Sequence, residues 1–185
     1  MQVNIGRLDK DHDRLAFDCG DPELNQYLRR FAGQNQFKHF VGTTYVAIEQ
    51  DQPFIILGYY TLAATSIPFY SLVEFPNLRK LPYKDVPAVL LARLAVSRQF
   101  QNQGIGHQLL GDAIKRTLEL TQTIGCRCLI VDAYPSAVNW YSKFGIVPLG
   151  SDPADSPTCR MLLDLRTAAL AVKRATPFGS GLILG

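Results

Sequence analysis

The sequence predicts a single mixed α/β domain, and three observations carry that prediction. β-branched and aromatic runs of strand length alternate with stretches of helical periodicity. One run, residues 88–96 (AVLLARLAV), is nearly continuous in apolar residues, as expected of a strand covered on both faces in the middle of a sheet. The chain has 185 residues, 47% hydrophobic and 19% charged, which is enough to bury a core without a disulfide or a metal.

Residues 2–8 read as a first strand. Asp21-Pro22 opens a helix, since aspartate caps well and proline is tolerated at the first helical position. Leu24, Leu28 and Phe31 follow at helical spacing, and Gly33 is placed to end the helix. Residues 43–49 (TTYVAIE) and 54–65 (FIILGYYTLAAT) read as a hairpin turning at Asp51-Gln52-Pro53. Pro68, Pro76, Pro82 and Pro87 make 67–87 a long loop with one short helical turn. Gly104–Ile124 is the strongest helix: Leu110, Ile114 and Leu118 repeat every four residues beside Leu109 and Ala113, and Gly125 stands ready to stop it. Residues 127–133 (RCLIVDA) form the next strand, 135–144 a short helix, and 146–149 and 159–165 closing strands. The domain spans 1–165. Residues 166–185 form a C-terminal tail, helical over 167–173 and then punctuated by Pro177, Gly179, Gly181 and Gly185, which suits a flexible end.

The net charge of +3 permits a polyanionic partner without demanding one. Cys19, Cys126, Cys128 and Cys159 form no Cys-x-x-Cys pair, and no histidine stands at metal-ligand spacing, so reduced, packed thiols are expected and no metal. The first residues are charged and alternating, unlike a signal peptide. No apolar run approaches the roughly 18 residues of a membrane span. These features point to the cytoplasm.

The informative unit is LLARLAVSRQFQNQGIGHQLL. A buried strand runs through a short polar stretch into Gln101-x-x-Gly104-x-Gly106, where the long helix begins. A helix start leaves N–H groups unpaired and carries the positive end of the macrodipole. Glycines there let the backbone approach a phosphate closely. No Gly-Lys-Ser/Thr follows, so this is not a P-loop, and a third glycine is missing for the dinucleotide fingerprint.

Gln101, Gly104 and Gly106, preceded by Leu94-Ala95-Val96, resemble the cofactor signature of the GNAT acetyltransferases. Downstream, Ala137-Val138-Asn139-Trp140-Tyr141-Ser142-Lys143-Phe144-Gly145-Ile146 is similar to a second block of that family, with Ile146 in place of its usual Phe. The resemblance covers about residues 1–165. It implies the GNAT fold, a mixed central sheet of six to seven strands flanked by helices, with acetyl-CoA as co-substrate. It further implies that Leu94, Ala95 and Val96 pair with the pantetheine arm. Gln101, Asn102, Gln103, Gly104, Ile105, Gly106 and His107 would hold the pyrophosphate, Asn139 would touch the cofactor, and Tyr141 would protonate the departing thiolate.

Direct transfer needs a neutral amine, an aligned thioester and a proton for sulfur. Residues 88–97 contain no carboxylate to serve as a base, although Asp132 is available. At pH 7 about 0.04% of a lysine side chain is neutral, against about 14% of an α-amine, so the absence favours an α-amine.

Three further segments resemble one GNAT branch, the tRNA-acetylating toxins. They are Phe17-x-x-Gly20-x-Pro22-x-Leu24-x-x-Tyr27-Leu28, Leu57-Gly58-Tyr59-Tyr60-Thr61-Leu62, and residues 86–96. That resemblance implies a toxin that acetylates the amino group of aminoacyl-tRNA and halts translation, a ribbon-helix-helix antitoxin partner, and a homodimer. Arg29, Arg30, Lys38, Arg79, Lys80 and Arg93 are the candidate RNA contacts. Arg93 stands out because a charge inside an apolar strand is costly unless it is paired or used. An acetyltransferase of a protein N-terminus or small-molecule amine, and a CoA-binding module without turnover, are the alternatives.

Overall fold

Neighbouring residues in the strands pack into different cores, and this sets the layering of the protein. The structure is a computed structural model that describes residues 2–72, 75, 78, 84–150 and 156–175, the last three by backbone alone. Strands β2 (Thr43–Glu49) and β3 (Gln52–Pro68) send Ala47, Leu57 and Tyr60 into one cluster and Val46, Ile56 and Tyr59 into another. Adjacent residues divide between the two faces as a strand requires, and the register shift of β3 between Ile56 and Gly58 places Leu57 with Tyr60 instead of Tyr59. The first cluster is covered by α2 (Ile105–Leu120), through Ile105, Leu109, Leu110 and Ala113. The second is covered by Leu28 and Ala32 of the helical segment Tyr27–Ala32, with Leu8 and Phe17.

Seven strands form one sheet in the order β1-β2-β3-β4-β5-β7-β6. The remaining strands are β1 (Val3–Arg7), β4 (Asp85–Val96), β5 (Cys128–Ala133), β6 (Val147–Pro148) and β7 (Cys159–Asp164). Among the strands of the described residues, β4 and β5 are the pair that runs in parallel, with α2 as their crossover. β4 is therefore central, as its apolar run implied. Helices α3 (Val138–Ser142) and α4 (Leu165–Ala175) complete the elements. The expected helix over 167–173 lies within α4, and residues 176–185 lie outside the described residues.

Three expectations are corrected. α1 starts as predicted at Pro22–Gln26, capped by Asp21, which accepts from the N–H groups of Glu23 (2.8 Å) and Leu24 (3.2 Å). It does not stop at Gly33, whose backbone is right-handed helical (φ −64°). It continues through π-helical turns at Tyr27–Ala32 and Asn35–His39 to a left-handed Phe40 (φ 56°). A Cβ at Gly33 would lie 2.5 Å from Arg14 Nη1, the far end of a flexible side chain that can move aside. Second, α2 ends at Leu120, short of Gly125. The hydroxyls of Thr121 and Thr123 donate to the carbonyls of Leu118 (2.7 Å) and Leu120 (3.2 Å), competing with further helical bonds. Third, the expected loop over 67–87 is shorter. β3 runs to Pro68 and β4 starts at Asp85, which pair, with a 3₁₀ turn at Phe69–Leu72. Pro68 and Pro87 are tolerated near the outer end of the ladder, where a missing N–H costs little. Pro76 and Pro82 lie outside the described residues.

Gly58 marks how closely α2 approaches the sheet: a Cβ there would sit 2.8 Å from Leu109 Cδ1 and 2.9 Å from the Ala95 carbonyl. The four cysteines are free thiols, with Cys128 buried. Among the described residues no helix is long and apolar enough to cross a membrane.

Candidate active site

The sheet opens where β4 and β5 part. Their parallel register runs from Ala88↔Cys128 to Leu91↔Val131 and stops there. On the other side Thr61 pairs with Arg93 and Leu62 with Leu91, so Ala92 is an extra residue in β4. Such a bulge bends a strand and increases its twist. Residues 92–96 consequently have a strand partner only on the β3 side. The gap becomes a cavity of about 700 Å³. Its walls include Leu91, Ala92, Arg93, Leu94 and Val96 of β4, Val131, Asp132 and Ala133 of β5, and Trp140 and Tyr141 of α3.

One wall is the strand-to-helix loop. Asn102 (φ 60°) and Gly104 (φ 82°) are left-handed, and Gly104 is the residue from which α2 departs. A Cβ on Gly104 would meet nothing within 4 Å, so glycine is needed there for its backbone conformation and not for space. The first turn of α2 has no side-chain cap, and its first helical bond is from Gln108 N–H to the Gly104 carbonyl (3.1 Å). The amides of residues 105–107 are left unpaired among the described residues. With the positive end of the macrodipole they suit an anion such as a diphosphate. The Gln101 side chain acts as a clip: its Nε2 donates to the carbonyls of Val96 (3.0 Å) and Cys19 (3.1 Å).

Opposite lies Tyr141, 8% exposed, with the Trp140 ring edge-on at 4.9 Å. Burial alone pushes its hydroxyl up to about 12, so at neutral pH the phenol keeps its proton. Asp132 lines the cavity, but Arg160 holds both of its oxygens, Nε at 2.7 Å and Nη2 at 3.1 Å. Arg93 is not a buried charge. The bulge places it exposed at the cavity wall, where Nη1 donates to the Ala92 carbonyl (2.6 Å) and the guanidinium lies 5.2 Å from the Tyr27 ring centre.

The structure thus brings together Arg93, Leu94, Val96, Gln101, Asn102, Gly104, Gly106, His107 and Tyr141. The side chains of Ala95 and Ile105 are buried, Ala95 with the Tyr59 cluster and Ile105 in the main core, while their backbone belongs to the strand edge and helix start beside the cavity. Two sequence candidates stand apart. Gln103 turns back to the Gln99 carbonyl (3.0 Å), and Asn139 is exposed outside the cavity wall. Sequence reasoning missed Glu23, Leu24, Tyr134, Trp140 and Thr158 as lining residues. Trp140 was findable, since it adjoins Tyr141 in the recognised block.

Arg29, Arg30 and Lys38 line a second groove, of about 680 Å³, together with Lys10, Arg14, Phe31 and Phe37. Arg29 Nη2 donates to the Phe17 carbonyl (2.7 Å). Among the described residues none of these five cations has a carboxylate within 4.0 Å. Arg79 and Lys80 lie outside the described residues. No group of three or more His, Cys, Asp or Glu that could hold a metal occurs among the described residues.

Comparison with known proteins agrees with this geometry. Residues 41–145 match the acetyltransferase (GNAT) domain family. A tRNA-acetylating toxin of Mycobacterium tuberculosis (strain ATCC 25618 / H37Rv) is 32% identical over 151 residues, 80% of this chain and 86% of that protein. AtaT complexed with acetyl-methionyl-tRNAfMet superposes with a TM-score of 0.81 at 27% identity, covering 92% of this chain and 99% of the other. AtaTR bound with AcCoA superposes with a TM-score of 0.72 at 25% identity, covering 92% and 98%. On that family match, with the site it encloses, the chain belongs to the GNAT acetyltransferase family.

Proposed function

We propose that this enzyme is a toxin that moves an acetyl group from acetyl-CoA to the α-amino group of aminoacyl-tRNA and so blocks translation. The observation that carries the reading is one cavity on which three features converge: the unpaired amides of 105–107, the one-sided strand edge at 92–96, and the buried Tyr141 hydroxyl.

Each feature fits a part of acetyl-CoA. The amides and the positive helix end suit the diphosphate. The backbone of residues 94–96 can pair with the amide groups of the pantetheine arm as an added strand would. Acetyl-CoA, when bound, supplies the acetyl group as an activated thioester. Tyr141 holds a proton at its hydroxyl and delivers it to the sulfur as the carbon–sulfur bond breaks. The apolar surroundings that keep the phenol neutral also strengthen its hydrogen bond.

The substrate is argued from charge and from the relatives. Arg30, Lys38, Lys10 and Arg14 form a cationic groove with Phe31 and Phe37, suited to a phosphate backbone with unstacked bases beside it. Arg93 at the cavity wall suits the 3′ end. The M. tuberculosis relative is named for tRNA acetylation, and AtaT is complexed with an acetylated aminoacyl-tRNA. By the same resemblance the protein works in the cytoplasm, as a homodimer, held in check by a ribbon-helix-helix antitoxin.

Protein synthesis in a cell-free system tests the reading. Adding the chain with acetyl-CoA should arrest translation, and Tyr141→Phe should relieve the arrest. Arrest that does not depend on acetyl-CoA, or none with it, would reject the proposal.

A further inference from the structure

The reaction consumes a neutral amine, and the substrate amine arrives largely as an ammonium. The central strand offers no carboxylate to take its proton. Among the described residues the cavity wall holds two carboxylates, Glu23 and Asp132. Asp132 is occupied: Arg160 contacts both of its oxygens, at 2.7 and 3.1 Å. The Glu23 carboxylate has no hydrogen-bond or ion-pair partner among the described residues.

The backbone that carries Glu23 is held in a fixed place. Its own N–H donates to the capping carboxylate of Asp21 (2.8 Å). The next residue, Leu24, accepts from the Tyr59 hydroxyl at its carbonyl (2.8 Å), tying the turn to β3. Just before it, the Cys19 carbonyl accepts from Gln101 Nε2 (3.1 Å), and the Asp18 carbonyl accepts from Arg98 N–H (2.9 Å). The segment that carries Glu23 is therefore clipped at Arg98 and Gln101 to the loop that opens the cofactor side. A side chain distant in sequence from the motif is registered against it.

The charges around it are few. On its own segment stand Asp21 and Tyr27. Facing the same cavity are Arg93 from β4, His107 from α2, Asp132 with Tyr134 after it, and Tyr141 from α3. Among the described residues Arg93 is the one arginine in that wall, and its guanidinium lies over Tyr27.

Resting on the proposed function, we infer that Glu23 is the acceptor-side base: it receives the substrate ammonium and takes the proton that the nitrogen must shed before attack. The proton passes from nitrogen to a Glu23 oxygen and then to solvent. The freed lone pair forms the carbon–nitrogen bond while the carbon–sulfur bond breaks. Tyr141 gives its proton to sulfur, and the second proton of the amine returns to the tyrosine oxygen.

The test is the pH dependence of acetylation of a charged tRNA by wild type and Glu23→Gln, with acetyl-CoA binding measured by calorimetry on both. Glu23 is exposed, so the substitution leaves the fold intact, and a thermal melt checks this. For an amine of pKa near 7.8, about 2% is neutral at pH 6 and about 94% at pH 9. Glu23→Gln should be slower by about 10²-fold at pH 6 and within about 3-fold of wild type at pH 9, with unchanged acetyl-CoA binding. Equal rates at pH 6, or a deficit of the same size at every pH, would overturn the assignment while leaving the function standing. A wild-type chain that acetylates no charged tRNA at any pH would remove both.

Discussion

The two sides of the cavity are built by different means. The side we assign to the cofactor is made of backbone: amides 105–107, a left-handed Gly104 and a strand edge freed by one extra residue at Ala92. The side we assign to the acceptor is made of side chains from segments far apart in sequence: Glu23 from α1, Arg93 from β4, Tyr134 after β5 and Thr158 before β7. A constant ligand gripped by backbone needs particular glycines at fixed spacing, and so it leaves a motif. A substrate met by side chains needs only the right charges at one place, and many sequences supply those.

Substitutions should separate the two sides, and the largest effect should come from the group that serves both. Tyr141→Phe should lower kcat by about 10²-fold or more with acetyl-CoA affinity unchanged, read by single-turnover kinetics and calorimetry. The phenol must be protonated to act, and burial raises its pKa to about 12. Wild-type kcat should therefore hold above the ordinary phenol pKa of about 10, and a fall near pH 10 that Tyr141→Phe abolishes would mean that burial does not raise the Tyr141 pKa. Next, Arg30→Ala with Lys38→Ala should weaken charged-tRNA binding and reduce the slope of log K against log salt by about 1.5, leaving acetyl-CoA binding untouched. Equal loss of acetyl-CoA would erase the distinction between the sides.

The glycines sharpen the comparison at smaller scale. Gly104→Ala places a side chain at φ 82° and should cost about 1 kcal/mol, a lowering of Tm by about 2–4 °C, with weaker acetyl-CoA binding. Gly106→Ala should change stability by less than about 0.5 kcal/mol. Its Cβ would meet Trp140 and Val96 at 3.6 and 3.7 Å, which is ordinary contact. Differential melts of the two variants decide this.

Much of the fold was legible in the sequence, because period and punctuation are local. β4 was readable from AVLLARLAV, and the Asp21 cap from Asp-Pro before an apolar repeat. Gly33 misled, because a glycine can also lie within a helix, and here the chain continues through π-helical turns on both sides of it. The length of α2 was overread, because threonine hydroxyls ended the helix before the glycine was reached. Arg93 looked like a buried charge until the bulge at Ala92 turned it outward. At the site, the motif marked out the cofactor wall, while Glu23 carried no signal of its own. Only tertiary clips at Cys19, Leu24 and Asp18 bring it there.

The most direct measurement identifies the acetylated atom. The chain would be incubated with labelled acetyl-CoA, a set of charged tRNAs, free polyamines and peptides. The aminoacyl ester would then be cleaved and the products read by mass spectrometry. Label on the α-nitrogen of amino acids released from tRNA is the result expected. Label on lysine side chains or polyamines, with the charged tRNAs unmodified, would contradict it.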